Sequence, residues 1–272
     1  MLKFNGLAYL VAILALNFTA LSSAQAAETS KKLTYAVYTG GLHVVMADLD
    51  VKMDKNGHYS AFVSAQTHGF LGKLAPWSGT FKTTGDMKDD AFFPKQHESV
   101  AVWRGEDDQK TYDYDGKGNL TAYKEVEAGK EHPKKDLAKD LIDNTTDILS
   151  ATLEVMHNLG KGGTCSNSDD IFDGKRRFAL KFKPVSETVL ESSRYNIYGG
   201  QAKKCEVIVE PKGGKWHKKP RGWMSIQEQG QEEGALPTIW MGKLQDSDLF
   251  VPVKLKVKTA YGTLMMHLVE AS

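Results

Sequence analysis

From Leu33 onward, apolar and polar residues alternate in short runs with the period of two that is typical of half-buried β-strands. The first run ends at Gly40-Gly41, and the next ends before Asn56-Gly57, a pair that favours a hairpin turn because both residues tolerate positive φ. We therefore predict an antiparallel meander through the first half of the chain. Its later strands are predicted at His58–Thr67, Trp77–Thr83, Ser99–Arg104, Lys110–Tyr114 and Leu120–Val126.

One long segment, Lys134–Leu159, lacks Gly and Pro and repeats its apolar residues at helical spacing. Pro133 suits the first turn of a helix, and Gly160 suits its C-terminal cap. We predict a helix here, with either a kink or two abutting helices at the polar cluster Asn144–Asp147, which can cap an N-terminus. A single amphipathic helix among many strands commonly fills the concave side of a curved sheet.

Strand patterns return after this segment, and no Pro-rich or Ser-rich linker separates the two halves. About a dozen strands cannot remain one flat open sheet. The sequence therefore predicts a mainly β protein: a strongly curved antiparallel sheet, an incomplete barrel or β-spiral, wrapped around one long α-helix. We expect a single domain over residues 27–272. The strands of the second half are predicted at Arg176–Pro184, Thr188–Tyr198, Ala202–Val209, Thr238–Leu244, Phe250–Thr259 and Gly262–Val269.

The first 26 residues have the pattern of a secretory signal peptide. Lys3 is basic, Leu7–Leu16 is apolar, and Ala24-Gln25-Ala26 supplies a small-x-small cleavage site. The apolar run is about half the ~20 residues that a membrane-spanning helix needs, so an uncleaved anchor is the less favoured alternative. We expect cleavage after Ala26, export to the periplasm and no transmembrane segment in the mature chain.

Net charge and sequence motifs limit the classes of function that this chain can have. Lys and Arg number 35 against 34 Asp and Glu, which gives a net charge of +1 and argues against nucleic-acid binding. The eight histidines form no HxH or HExxH pair, and no P-loop or G-x-S-x-G elbow occurs. We therefore predict no catalytic residues, no metal site and no cofactor.

The chain has two cysteines, and export would place both in an oxidising compartment. We predict a structural disulfide between Cys165 and Cys205. If the residues between them formed a flat meander, the cysteines would lie too far apart to bond. Either the sheet curls there, or Cys165 lies on the loop after the helix and folds across the strands.

The segment Lys212–Trp223 combines basic residues and tryptophans in a Gly- and Pro-containing stretch. Such residues suit a surface of anionic headgroups. The alternative is a solvated hairpin tip whose tryptophans fold back onto the core. The candidate contacts are Lys215, Trp216, Lys218, Lys219, Arg221 and Trp223.

The second half carries a recognisable order of residues: Cys165, then Phe172–Phe178 with the run DGKRR, then Cys205 at the end of GQAKKC. With Tyr35–Leu42, this order resembles an uncharacterised family of exported bacterial proteins, domain of unknown function 3108. The family has no established reaction, so the resemblance supplies no catalytic residues. The architecture is also similar to periplasmic β-spirals and to half-barrels of lipoprotein carriers, an analogy at the level of fold alone.

Two hypotheses of function remain. The first is a non-enzymatic periplasmic binding or scaffold protein that supports cell-envelope integrity and holds a lipid, lipoprotein or protein partner in its curved sheet. The alternative is an envelope hydrolase or transferase whose site assembles from scattered residues, such as His157 with Asp169 or Asp170. An apolar pocket would favour the first, and polar groups converging in a pocket would favour the second.

Overall fold

The computed structural model describes residues 29–132, 137–216, 223–232, 234–245, 247, 249–259 and 262–272. The predicted signal peptide lies outside these residues. The described chain forms 14 strands and four helices. In chain order they are β1 (Thr29–Thr39), β2 (Leu42–Met53), β3 (His58–Thr67), α1 (Gly69–Leu74), β4 (Trp77–Lys88), β5 (Ala91–Trp103), β6 (Glu106–Tyr114), β7 (Leu120–Glu127), β8 (Lys130–Glu131), α2 (Lys139–Ile142), α3 (Ile148–Gly160), β9 (Asn167–Phe172), β10 (Arg176–Leu190), β11 (Gly200–Gly214), α4 (Trp223–Glu232), β12 (Thr238–Lys243), β13 (Phe250–Thr259) and β14 (Gly262–Ala271).

All 14 strands belong to one sheet with the order β8-β7-β6-β5-β4-β3-β2-β1-β14-β13-β12-β11-β10-β9. Neighbouring strands of this sheet pair antiparallel. The prediction of a mainly β protein with one large antiparallel sheet is confirmed, with two strands more than a dozen. The sheet is open, since β8 and β9 are its two edges.

The two ends of the sheet curl toward each other and meet at a seam. Phe172, the last residue of β9, packs edge-on against Tyr112 of β6 and Tyr123 of β7, with ring centroids 6.5 and 5.9 Å apart. Lys175 lies 3.4 Å from Glu125 of β7 across the same seam. Aromatic packing and an ion pair thus join the two ends.

The prediction of one long helix is wrong, whereas the alternative of two helices separated at Asn144–Asp147 is close to what the structure shows. In place of a continuous helix over residues 134–159, the chain forms the short α2 and the 13-residue α3, with residues 143–147 between them. Residues 134–136 lie outside the described part. The break occurs because the intervening residues enter the seam. Thr145 donates its N–H to Gly118 O, and Thr146 donates its N–H to Asp170 O on β9, both at 2.8 Å.

The predicted N-terminal cap is confirmed at Asp147, whose carboxylate accepts the N–H groups of Leu149 and Ser150. Helix α3 then crosses the concave side of the sheet and contacts strands from both of its halves, namely β4 and β5 on one side and β9, β10 and β13 on the other. The buried face of α3 consists of Ser150, Ala151, Leu153, Val155, Met156 and Leu159. A curved sheet around a helix is therefore correct in outline, with a shorter helix.

Candidate functional site

A cavity of about 640 Å³ lies between α3, α4 and the concave face of the second half of the sheet. Its sheet wall is apolar because alternate residues of one strand face the same side, as Phe178, Leu180 and Phe182 of β10 do here. Three of the lining residues are polar. The full lining is Ile148, Thr152, Asp173, Arg176, Phe178, Leu180, Phe182, Val207, Val209, Trp216, Met224, Ile239 and Leu255.

Helix α3 presents its first turn to the cavity. Ile148 and Thr152, one turn apart, belong to the lining, and Ile148 is 50% exposed. A large apolar side chain that a folded protein leaves half exposed inside a concave apolar wall is available to a ligand.

Arg176 and Trp216 form a fixed polar edge of the cavity. The guanidinium of Arg176 donates from Nε to Asp173 Oδ2 at 2.8 Å, and its Cζ lies 4.7 Å from the centre of the Trp216 ring. The indole N–H of Trp216 donates to Gly213 O at 2.8 Å, and its ring meets Phe178 edge-on at 6.4 Å. The cation is therefore held between a carboxylate and an aromatic face.

Helix α4 covers one side of the cavity, and the side chain of Gln227 ties it to β11. Gln227, which is 6% exposed, accepts the N–H of Val209 at 2.6 Å and donates to the carbonyl of the same residue at 2.8 Å. The partner strand β12 pairs with β11 only up to Glu206, so the Gln227 amide replaces a strand partner for Val209. Sequence reasoning missed α4, which follows the Gly- and Pro-containing stretch directly.

A buried polar network surrounds Asp147, the residue directly before α3. Asp147 accepts hydrogen bonds from Ser150 Oγ at 2.6 Å and Thr83 Oγ1 at 2.7 Å, and His97 Nδ1 lies 3.4 Å from its carboxylate. Burial opposes ionisation of Asp147, yet His97 and the hydroxyl donors outweigh it and hold its pKa below the usual range. The network extends from Ser150 Oγ to the hydroxyl of Tyr59, 2.7 Å away. The network fixes α3 against β3, β4 and β5.

The residues named for the enzyme hypothesis are engaged separately. His157 Nε2 hydrogen-bonds Asp90 Oδ1 at 2.8 Å, and Asp170 pairs with Arg177 at 2.6 Å. Asp169 accepts from Asn167 at 2.7 Å; burial, and then the charge of Glu154, raise its pKa to about 6. Within the described residues, no group of three or more His, Cys, Asp or Glu is placed to hold a metal ion.

The predicted anionic-surface residues are only partly described. Lys215 is exposed, while Trp216 folds back onto the core as the alternative interpretation expected. Lys218, Lys219 and Arg221 lie outside the described residues, and Trp223 begins α4.

The predicted disulfide between Cys165 and Cys205 is confirmed. Cys165 lies on the loop between α3 and β9 and Cys205 lies in β11, with their Cα atoms 6.5 Å apart. Of the two routes considered, the loop after the helix therefore folds across the strands. Both residues are buried in the main core, so the bond ties the end of α3 to the sheet.

The fold and the site define a class: an open β-sheet curled around a short helix, with an apolar cavity between them. Residues 34–269 match the model of the family described as "Protein of unknown function (DUF3108)", and the chain belongs to that family. The resemblance noted from the cysteines and the DGKRR run is thereby confirmed.

Among solved structures, the chain is similar to a beta-barrel-like protein of the domain of unknown function DUF1849 from Brucella abortus. The TM-score is 0.50 at 9% sequence identity, over 90% of this chain and 98% of that one. This likeness concerns the fold. No curated protein matches the chain. Among the described residues, no helix is both long and apolar enough to cross a bilayer.

Proposed function

We propose that this protein is a non-enzymatic binding protein of the bacterial cell envelope that holds the acyl chain of a lipid or lipoprotein in its concave cavity and thereby supports envelope integrity. The observation that carries the proposal is the cavity itself, about 640 Å³ in volume and lined by ten apolar side chains among thirteen. Ligand pockets commonly measure 300–1,000 Å³ and bind largely through apolar walls.

The charged groups near the cavity are paired with one another, which favours binding over catalysis. Arg176 is held by Asp173, and the candidate catalytic residues His157 and Asp170 each have a partner outside the cavity. An acyl chain needs no polar partner. Burial of each methylene group stabilises the complex by about 0.8 kcal/mol.

The location that we propose is the periplasm. The disulfide between Cys165 and Cys205 supports this location, because such bonds persist in oxidising compartments. The sequence pattern of residues 1–26 points the same way.

Calorimetric titration with 1-alkanols of increasing length tests the acyl-chain proposal without involving a charged headgroup. We expect saturable binding at one site, with the dissociation constant falling about fourfold for each added methylene until the cavity is full. Affinity that does not depend on chain length, or no saturable binding of any alkanol, would contradict the proposal.

A pair of variants locates the binding. Ile148→Asp places a charge at the cavity and should weaken binding of the longest alkanol at least ~10-fold, since a carboxylate opposes desolvation by the chain. Ile197→Asp is the matched control, because Ile197 is also 50% exposed but lies away from the cavity lining. Equal losses in the two variants would place the ligand elsewhere.

A further inference from the structure

A second concavity of about 830 Å³ adjoins the apolar cavity and shares Asp173 and Arg176 with it. We call it the basic cleft. It lies along the seam, between α2, the turn from β9 to β10, and the end of β11. Its lining is Lys110, Leu137, Ala138, Leu141, Phe172, Asp173, Gly174, Lys175, Arg176, Gly214 and Lys215.

Basic groups outnumber acidic ones in this lining by four to one, with Asp173 as the acidic residue. The carboxylate of Glu125, which is not part of the lining, lies near two of these lysines: Lys175 Nζ at 3.4 Å and Lys110 Nζ at 3.7 Å. Lys110 also lies 3.1 Å from Asp108. Each ammonium has three N–H donors, so the lysines that face the cleft retain donors for an incoming anion.

Lys175 and Lys215 are accessible to such an anion. The side chain of Lys175 is 61% exposed, and Lys215 is exposed at the end of β11. A glycine lets the backbones of these two segments lie close together. Gly214 has φ +83°, and a Cβ there would lie 2.4 Å from the carbonyl oxygen of Lys175, so a larger residue would push the two lysine-bearing segments apart.

Arg176 marks the boundary between the two concavities. Its guanidinium is oriented by Asp173 and by the face of Trp216, and Trp216 itself lines the apolar cavity. In an anionic amphiphile, the apolar chain joins the charged headgroup at one point. Arg176 is a fixed cation at the corresponding point of the protein, where the apolar cavity meets the basic cleft.

We propose that the ligand is a single-chain amphiphile with an anionic headgroup, whose carboxylate or phosphate oxygens lie in the basic cleft against Lys175, Lys215 and Arg176. This inference rests on the proposed function, because the acyl chain occupies the apolar cavity. Charge-assisted hydrogen bonds from the ammonium groups hold the headgroup, and burial of the chain supplies the remaining affinity.

The test compares two ligands that share one chain and differ in the headgroup: dodecanoate and 1-dodecanol, titrated by calorimetry below their aggregation limits. For the wild-type protein we expect dodecanoate to bind at least ~10-fold more tightly, and this ratio to fall as salt is added. The double variant Lys175→Gln/Lys215→Gln should reduce the ratio to about twofold or less while leaving the affinity for dodecanol unchanged.

The matched control is Lys52→Gln/Lys183→Gln, which makes the same change in net charge at exposed positions outside both concavities. It should keep the wild-type ratio. An equal loss in the control would overturn the headgroup site, because long-range charge would then explain the preference.

The outcomes separate this inference from the proposed function. If dodecanol and dodecanoate bind equally, the cavity function stands and the anionic headgroup is overturned. If neither binds, the proposed function fails. Inorganic phosphate that binds as tightly as dodecanoate would overturn the amphiphile, since the chain would then contribute nothing.

Discussion

Two aspartates close to α3 show how local donors decide the state of a buried carboxylate. Asp147 is buried and Asp169 is half-buried, and burial alone raises a carboxyl pKa. Asp147 compensates with His97 beside it and with hydrogen bonds from Ser150 and Thr83, whereas Asp169 has Asn167 as its donor and faces the charge of Glu154. Their pKa values therefore shift in opposite directions.

For Asp147, we expect Asp147→Asn to lower the free energy of unfolding at pH 7 by about 2 kcal/mol, because an amide accepts weaker hydrogen bonds from buried donors. The folded pKa of Asp147 is depressed, so its contribution is complete above the unfolded pKa of about 3.9 and is lost as the pH falls through the folded pKa. Urea unfolding at several pH values measures the difference, which should shrink in acid. A constant difference down to pH 3 would contradict this assignment.

For Asp169, the sign is reversed. Its folded pKa of about 6 lies above the unfolded value, so its charge destabilises the folded state above pH 6, and protonation relieves this as the pH falls toward about 4. Asp169→Asn should therefore stabilise the protein at pH 7.5, by up to about 1 kcal/mol after solvent screening, and have little effect at pH 4.5. Thermal melts at both pH values provide the measurement, and a destabilised variant at pH 7.5 would refute the prediction.

At the scale of elements, the sequence predicted most strands and the helix break at Asn144–Asp147, but not how short the helix before that break is, nor that β10 ends at Leu190. Turns such as that at Asn56-Gly57 are local, because Gly57 itself supplies the positive φ that the turn needs. Leu137 and Leu141 fit the helical spacing of α3, yet they pack into the seam beside Phe172. Spacing alone does not specify which surface an apolar side chain will meet, so the pattern extended the helix over residues that pack elsewhere.

Gln227 offers the clearest test of an element that the sequence concealed. Gln227→Ala leaves the buried N–H and carbonyl of Val209 without their side-chain partner, so we expect α4 to detach more often and the Val209 amide to exchange with deuterium at least ~10-fold faster. NMR-detected exchange is the measurement. Glu228→Ala, an exposed position on the same helix, should leave the rate unchanged, and equal protection in both variants would show that α4 does not depend on Gln227.

At the scale of the molecule, the curled sheet and the disulfide were predictable, whereas the cavity was not. Strand count requires curling, and export predicts oxidation of two cysteines, whatever the details of packing. The cavity depends on how Ile148, Trp216 and Met224 from three separate segments face one stretch of sheet. None of these residues stands out in the sequence as a site residue for an apolar ligand.

The disulfide should be a substantial source of stability. The bond closes a loop of about 40 residues, for which chain entropy gives roughly 4 kcal/mol as an upper figure. Cys165→Ala/Cys205→Ala should therefore lower the melting temperature. Alkylation of the denatured but unreduced protein, followed by mass spectrometry, should add no label. Two added labels would contradict the bond, and an unchanged melting temperature would show that it contributes little to stability.

The order of strands has a consequence for the rate of folding. Each strand of the described sheet pairs with its neighbour along the chain, except that β1 also pairs with β14, Leu33 opposite Ala271. Two antiparallel meanders, β1 to β8 and β9 to β14, can thus form from local contacts. Pairing of β1 with β14 then joins them and closes one large loop of chain. Its entropic penalty grows only logarithmically with loop length, so we expect faster folding than is usual for an all-β chain of this size, with the β1–β14 ladder formed last.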